Sequence, residues 1–154
     1  MPIEISGLLH VAVVTRDIDR MTAFYRELFR ASVVKELRLT TPVFGAGVGV
    51  PGARARTVHL RIPGADTVVE LTMYDRHRAT GDERAPANTP GLRHLALRTT
   101  DIEAAEAELR AWGAEIVGGP VVVDEPAAAR GTRFLYVRDP EGNLVELIQP
   151  PPSS

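Results

Sequence analysis

GLRHLAL, residues Gly91–Leu97, is a short apolar run that carries one histidine, His94. A single histidine in a predicted strand is more often a core residue than a ligand, but the chain contains this pattern twice. Leu92–Glu108, LRHLALRTTDIEAAEAE, aligns without a gap with Leu8–Phe24, LLHVAVVTRDIDRMTAF, at an offset of 84 residues. The chain is therefore an internal repeat. The identical pairs are Leu8/Leu92, His10/His94, Ala12/Ala96, Thr15/Thr99, Asp17/Asp101, Ile18/Ile102 and Ala23/Ala107.

The repeat returns near the end of each half, at an offset of 76 residues. Val69-Glu70-Leu71 in the first half matches Val145-Glu146-Leu147 in the second. Each half therefore has a histidine near its start and a glutamate near its end. A repeat that keeps both residue types suggests one site assembled from both halves.

Composition excludes several classes of protein. The chain has 154 residues, of which 44% are hydrophobic and 25% charged, as is ordinary for a soluble protein. A net charge of −2 gives no electrostatic case for nucleic acid or a membrane surface as partner. The chain has no cysteine, so any metal must take nitrogen and oxygen ligands. Since Met1–Glu4 also lacks the features of a signal peptide, we expect a cytoplasmic protein.

Hydrophobic periodicity predicts the same order of elements, βαβββ, in both halves. We expect an α+β fold in which two such modules, 7–74 and 91–149, form a curved mixed-sheet half-barrel with helices on its outer face, joined by a linker at 75–90 into a single domain. The predicted strands are Leu8–Val14, Ser32–Leu39, Arg56–Ile62, Thr67–Tyr74, Leu92–Thr99, Glu115–Val117, Thr132–Arg138 and Leu144–Ile148. The other predicted features are helices capped by Asp17 and Asp101 that end near Phe29 and Trp112, loops at Thr40–Ala55 and Pro120–Gly131, and a turn at Asp139–Asn143.

The strand faces place the repeated residues together. In each half an aliphatic face, such as Leu9/Val11/Val13, suits packing under the helix, so the opposite face carries the histidine and the glutamate. His10, Glu70, His94 and Glu146 would then point into one concavity. Two imidazoles and two carboxylates suit one divalent ion of Ni, Zn, Co, Fe or Mn, and we prefer this interpretation to edge charges and core histidines because inward carboxylates are costly unless paired or coordinated.

Further candidates for substrate contact lie on the same predicted faces. Thr72 and Tyr74 follow Glu70 at the spacing of two that keeps side chains on one face of a strand, and Arg98 follows His94 in the same way. Arg98 would clamp a substrate carboxylate or phosphate, with a surface ion pair as the alternative. His59 is a candidate for contact with a ligand of the ion or with substrate, with a solvent-satisfied histidine as the alternative.

These motifs resemble the vicinal oxygen chelate superfamily, which includes glyoxalase I, methylmalonyl-CoA epimerase, extradiol dioxygenases and the fosfomycin- and bleomycin-resistance proteins. The resemblance extends from Leu8 to Ile148. It is carried by LLHVAVVTRDIDRMTAFY, by GLRHLAL with DIEAAEAELRAWGAE, and by RDPEGNLVELIQ. The strand VVELTMY is similar to the corresponding strand of bacterial glyoxalase I.

The resemblance implies a function and a set of roles. His10, Glu70, His94 and Glu146 would be the ligands of one divalent metal, and Glu146, or failing it Glu70, would be the catalytic base that removes a proton beside a carbonyl. A homodimer acting on a small-molecule substrate is implied as well. Val14 and Tyr74 replace the residues that usually hold glutathione, which argues against a glutathione substrate. The alternatives are a metal-free drug- or metabolite-binding protein and an iron-dependent dioxygenase.

Overall fold

The structure, a computed structural model, describes residues 3, 5–75 and 84–151. The chain divides into two compact units, Met1–Thr80, which contains module 1, and Gly81–Ser154, which contains module 2. Residues 76–83 of the predicted linker lie outside the described residues. No helix in the described ranges is long and apolar enough to cross a membrane. The elements are β1 (His10–Val14), α1 (Ile18–Phe29), β2 (Ser32–Leu39), α2 (Pro42–Gly47), β3 (Ala55–Arg61), β4 (Val68–Tyr74), β5 (His94–Arg98), α3 (Ile102–Trp112), β6 (Glu115–Val122), β7 (Arg133–Arg138) and β8 (Leu144–Gln149).

Each unit contains one four-stranded mixed sheet. The strand order is β1-β4-β3-β2 in the first unit and β5-β8-β7-β6 in the second. In both, the first and last strands of the module pair in parallel, and the other pairs are antiparallel. The α+β class and the repeated βαβββ order predicted from the sequence are confirmed.

One face of each sheet packs under its helix and forms the core. Burial of the apolar side chains on this face removes their surface from water. It stabilises the folded state by about 1.5–3 kcal/mol per side chain, relative to leaving that side chain exposed. The opposite face is left for the histidines and glutamates. The core side chains that are at most 6% exposed include Ile18, Met21, Phe24, Tyr25, Val58, Leu60, Val69 and Leu71 in the first unit, and Ile102, Leu109, Leu135, Val137, Val145 and Leu147 in the second.

Both long helices begin and end as the sequence predicts. The Asp17 side chain accepts a hydrogen bond from the backbone N–H of Arg20, and Asp101 accepts one from Ala104. These bonds satisfy amides that have no partner inside the helix. Gly113 ends α3 with φ of 81°, a left-handed conformation that costs glycine little.

Three expectations from the sequence are wrong. Leu9 lies outside β1 and is 78% exposed, so it does not belong to the core face. The predicted loop Thr40–Ala55 contains the short helix α2, which begins with proline at its first position. Strand β6 extends to Val122 instead of ending near Val117, because register irregularities around Gly118 let the strand pass the Gly-Gly-Pro sequence.

The turn between β7 and β8 fixes the position of Glu146. The Asp139 carboxylate accepts hydrogen bonds from the backbone N–H groups of Glu141 and Asn143 and from the Asn143 side chain. This closed turn sets the register in which Tyr136 stands opposite Glu146. A slip of one residue would turn Glu146 to the core face.

Candidate active site

In module 1, His10 and His59 flank the carboxylate of Glu70. Glu70 stands opposite His59 on β3 and beside Ala12 on β1. The Nε2 atom of His59 lies 3.1 Å from Oε2 of Glu70, and Nδ1 of His10 lies 4.0 Å from the same oxygen. The two imidazole rings are perpendicular, with centroids 6.2 Å apart. Module 1 therefore gathers three residues that the sequence singled out.

The second oxygen of Glu70 is held by Thr72. The Thr72 hydroxyl donates a hydrogen bond of 2.9 Å to Oε1 of Glu70, and Thr72 is only 5% exposed. Thr72, predicted to contact substrate, thus acts on the carboxylate two residues before it. Glu70 has fixed neighbours at both of its oxygens.

Module 2 repeats the histidine–glutamate pair with different neighbours. Nε2 of His94 lies 3.4 Å from Oε2 of Glu146. The side chains of His10 and His94 are both 38% exposed, whereas those of Glu70 and Glu146 are 18% and 14% exposed. The two pairs therefore match in exposure as well as in sequence position. Tyr136 stands opposite Glu146, as His59 stands opposite Glu70.

Tyr136 is a site residue that the sequence interpretation missed. Its ring lies edge-on to His94, with centroids 5.4 Å apart. Burial raises the pKa of Tyr136 above its ordinary 10.0, and the charge of Glu146 and the hydrogen bond to it raise this pKa further. The phenol is therefore a protonated donor at neutral pH. The sequence does contain a signal for Tyr136. Arg61-Ile62-Pro63 and Arg138-Asp139-Pro140 share arginine and proline, and the offset that aligns these two segments also aligns His59 with Tyr136.

Tyr74 and Arg98 lie further along the same strand faces. Tyr74 stacks on Phe44 of α2, with ring centroids 6.0 Å apart and planes inclined by 23°. The segment predicted as a loop, Thr40–Ala55, therefore supplies an aromatic surface beyond Thr72. Arg98 is exposed and lies on the face of β5 that carries His94.

The distance between histidine and glutamate in each pair can be compared with that expected for two ligands of one cation. Two ligand atoms that each lie about 2.1 Å from one ion are separated by roughly 3.0 to 3.4 Å, depending on coordination geometry. The distance between His94 and Glu146 falls at this limit, and that between His10 and Glu70 is slightly longer. Within residues 3, 5–75 and 84–151, no three His, Asp or Glu side chains are already arranged around a metal position. Each module thus offers a pair of nitrogen and oxygen donors whose chemistry fits a divalent ion, and in module 2 their spacing fits as well.

Residues 7–147 match the family model of the glyoxalase/bleomycin resistance protein/dioxygenase superfamily. The chain belongs to this superfamily. The resemblance inferred from the sequence motifs is confirmed, and the two βαβββ modules are the fold expected of such a protein.

Relatives within the glyoxalase superfamily include enzymes. The chain is 34% identical over 154 residues to a 2-epi-5-epi-valiolone epimerase from Actinomyces sp, covering 92% of this chain and 78% of the relative. It is 26% identical over 155 residues to a probable lactoylglutathione lyase from Vibrio cholerae serotype O1, covering 92% and 89%. A glyoxalase family protein from Bacillus cereus has the same fold, with a TM-score of 0.84 and 21% identity over 96% of both chains.

Proposed function

We propose that this protein is a divalent-metal-dependent epimerase or isomerase of a small substrate with a carbonyl beside a second oxygen. The proposal includes a lyase reaction that begins, like the epimerisation, with removal of a proton from the carbon beside the carbonyl. The observation that carries it is the repeat-matched pairing of His10 with Glu70 and of His94 with Glu146 on the faces turned away from the core. The epimerase relative supports the choice of reaction, because its name denotes inversion at one carbon of a ketone.

His10, Glu70, His94 and Glu146 would hold the cation. When bound, a divalent ion acts as a Lewis acid for two adjacent substrate oxygens and so makes the C–H bond beside the carbonyl more acidic. The protein supplies the rest: it fixes the donors on paired strands, shields the carboxylates from water, and provides a base.

Glu146 is the proposed base. Glu70 is tied by Thr72 and lies near two imidazoles, whereas Glu146 lies near one imidazole and the Tyr136 phenol. Glu146 takes the proton as the C–H bond breaks, and its electron pair stays on the substrate. Return of a proton to the opposite face of the same carbon completes an epimerisation, with no net oxidation or reduction. Glu70 is the second candidate for either transfer.

Tyr74, Phe44 and Arg98 are the proposed substrate contacts around this chemistry. The stacked pair of aromatic rings offers an apolar wall, and the exposed guanidinium of Arg98 can bind a carboxylate or phosphate on the substrate.

The variant Glu146→Gln tests the proposal. An amide keeps the size of the side chain and one oxygen donor but removes the base, so we expect turnover to fall at least about 100-fold. The assay is deuterium incorporation beside the carbonyl in D₂O, followed by NMR on a panel of 2-hydroxyketones that includes polyhydroxylated cyclohexanones. Glu108→Gln, an exposed change on α3, is the matched control. If Glu146→Gln retains both activity and bound metal, the assignment is wrong.

Metal analysis separates this proposal from its alternatives. We expect about one tightly bound divalent ion per site in the purified protein. A protein that binds a drug or metabolite without any divalent ion would instead match the bleomycin-resistance part of the superfamily description. Consumption of oxygen with Fe²⁺ and a catechol would favour the dioxygenase part.

A further inference from the structure

His59 stands out among the polar groups of module 1. Its Nε2 atom is shielded from solvent and has no hydrogen-bond partner in the described part of the chain, although Oε2 of Glu70 lies 3.1 Å away. The side chain as a whole is 14% exposed, far less than that of His10. The sequence interpretation assigned His59 to substrate contact, but a shielded nitrogen facing a carboxylate is poorly placed for that role.

The contact between His59 and Glu70 needs a proton or a cation between the two atoms. A buried imidazole nitrogen without a hydrogen bond costs about 1–3 kcal/mol. Placing its lone pair 3.1 Å from a carboxylate oxygen adds repulsion unless a proton or a cation lies between the two atoms. The N–O distance lies within the roughly 3.0 to 3.4 Å that separates two ligands of one ion.

We propose that His59 is a further ligand of the divalent cation, joined in module 1 by His10 and Glu70. This inference rests on the proposed function, since it concerns the same ion. Two histidines and one carboxylate form a donor set that divalent metals accept with positions left open. His10 lies 4.0 Å from Glu70 and is 38% exposed, so its ring has room to rotate toward the shared oxygen.

Module 2 has no histidine at the position that corresponds to His59 of module 1. Tyr136 occupies the position equivalent to His59, and its phenol donates to Glu146. With His59 as an additional donor, Glu146 is available as the base, which gives the two glutamates different roles.

The test counts the imidazoles that bind metal. Histidines of the intact protein are labelled with ¹⁵N, and their ring signals are followed by NMR as one equivalent of Zn²⁺ is added. The chain has only four histidines, so each signal can be resolved and assigned by substitution. We expect three imidazoles to shift in the wild type and two in His59→Gln. Affinity for Zn²⁺, measured by competition with a chelator, should fall at least about tenfold in that variant. Glu108→Gln, an exposed change on α3, is the control and should keep all three shifts.

The outcomes are distinct. Two shifted imidazoles in the wild type, with His59 unaffected, would overturn this inference and leave the proposed function standing. Failure of Zn²⁺, Ni²⁺, Co²⁺ and Mn²⁺ to bind the wild type at all would overturn both. Should His59→Gln prove unstable, the wild-type count of three or two decides the question by itself.

Discussion

Neighbouring side chains give the two glutamates different properties although the repeat makes them equivalent. Glu70 receives a hydrogen bond from Thr72, whereas the position that matches Thr72 in module 2 is Ile148. Glu146 instead meets the phenol of Tyr136. The threonine therefore holds Glu70 in one orientation, which would make it the better permanent ligand of the proposed cation.

Thr72→Val tests this role. Valine has the same shape but cannot donate to Oε1 of Glu70, so we expect the free energy of unfolding to fall by about 1 kcal/mol and the affinity for Zn²⁺ to weaken. Urea unfolding and chelator competition provide the measurements. Thr57→Val is a matched control, because Thr57 pairs with Thr72 on the neighbouring strand and its buried hydroxyl has no hydrogen-bond partner. Equal effects of the two changes on metal affinity would rule out a positioning role for Thr72.

The histidines and glutamates could be predicted because the repeat marks them, but their neighbours could not. Periodicity gives the face of a strand, whereas the partner of a residue depends on register, and register depends on turns and bulges. Tyr136 was missed for this reason. The sequence marks His59 only as a histidine, because its contact with Glu70 follows from the pairing of β3 with β4.

Turns and caps were the most predictable elements. Asp17, Asp101, Gly113 and the Asp139–Asn143 turn have local chemistry that fixes the backbone without help from the rest of the fold. Helix α2 and the far half of β6 were missed because tertiary packing overrides their Gly- and Pro-rich sequences. Gly45 illustrates this, since a Cβ there would lie 2.9 Å from the Val50 carbonyl oxygen, a close approach that hydrophobicity does not encode.

The contribution of the β7–β8 turn to the free energy of unfolding should depend on pH. Burial raises the pKa of Asp139 above its ordinary 3.8, although hydrogen bonds from Asn143 and its neighbours oppose the shift. The folded protein therefore holds this proton at pH values where the unfolded chain has lost it, and stability from Asp139 decreases as pH rises through the folded-state pKa.

Comparison with Asp139→Asn isolates the effect. We expect the free energy of unfolding of the wild type, minus that of the variant, to decrease as pH is raised from about 4 and to become constant near neutral pH. Urea unfolding at a series of pH values gives this difference, and the wild-type pH dependence from all other groups cancels. A difference that grows with pH would mean that the hydrogen bonds of the turn outweigh burial and that the pKa is lowered.

At the scale of the whole molecule, the repeat predicts the fold of each module but not the oligomeric state of the protein. Each module has an edge strand, β1 or β5, that begins at its histidine. Apolar residues precede both strands and are exposed, with Leu8 at 69%, Leu9 at 78% and Leu92 at 73%. Exposed leucines beside the edge strand of a sheet are costly in water and favour association with another surface.

We therefore expect a homodimer in which these leucines are buried. Sedimentation should give twice the 16.7 kDa mass of the chain. In the double variant Leu8→Glu, Leu92→Glu, each substitution removes about 1.5–3 kcal/mol of stabilisation by apolar burial and adds a charge. We therefore expect the dimer of this variant to dissociate at micromolar concentration. Val43→Glu, at a residue of α2 that is 79% exposed, is the control and should remain dimeric. A double variant as dimeric as the wild type would place the interface elsewhere, and a monomeric wild type would mean that the exposed leucines serve no self-association.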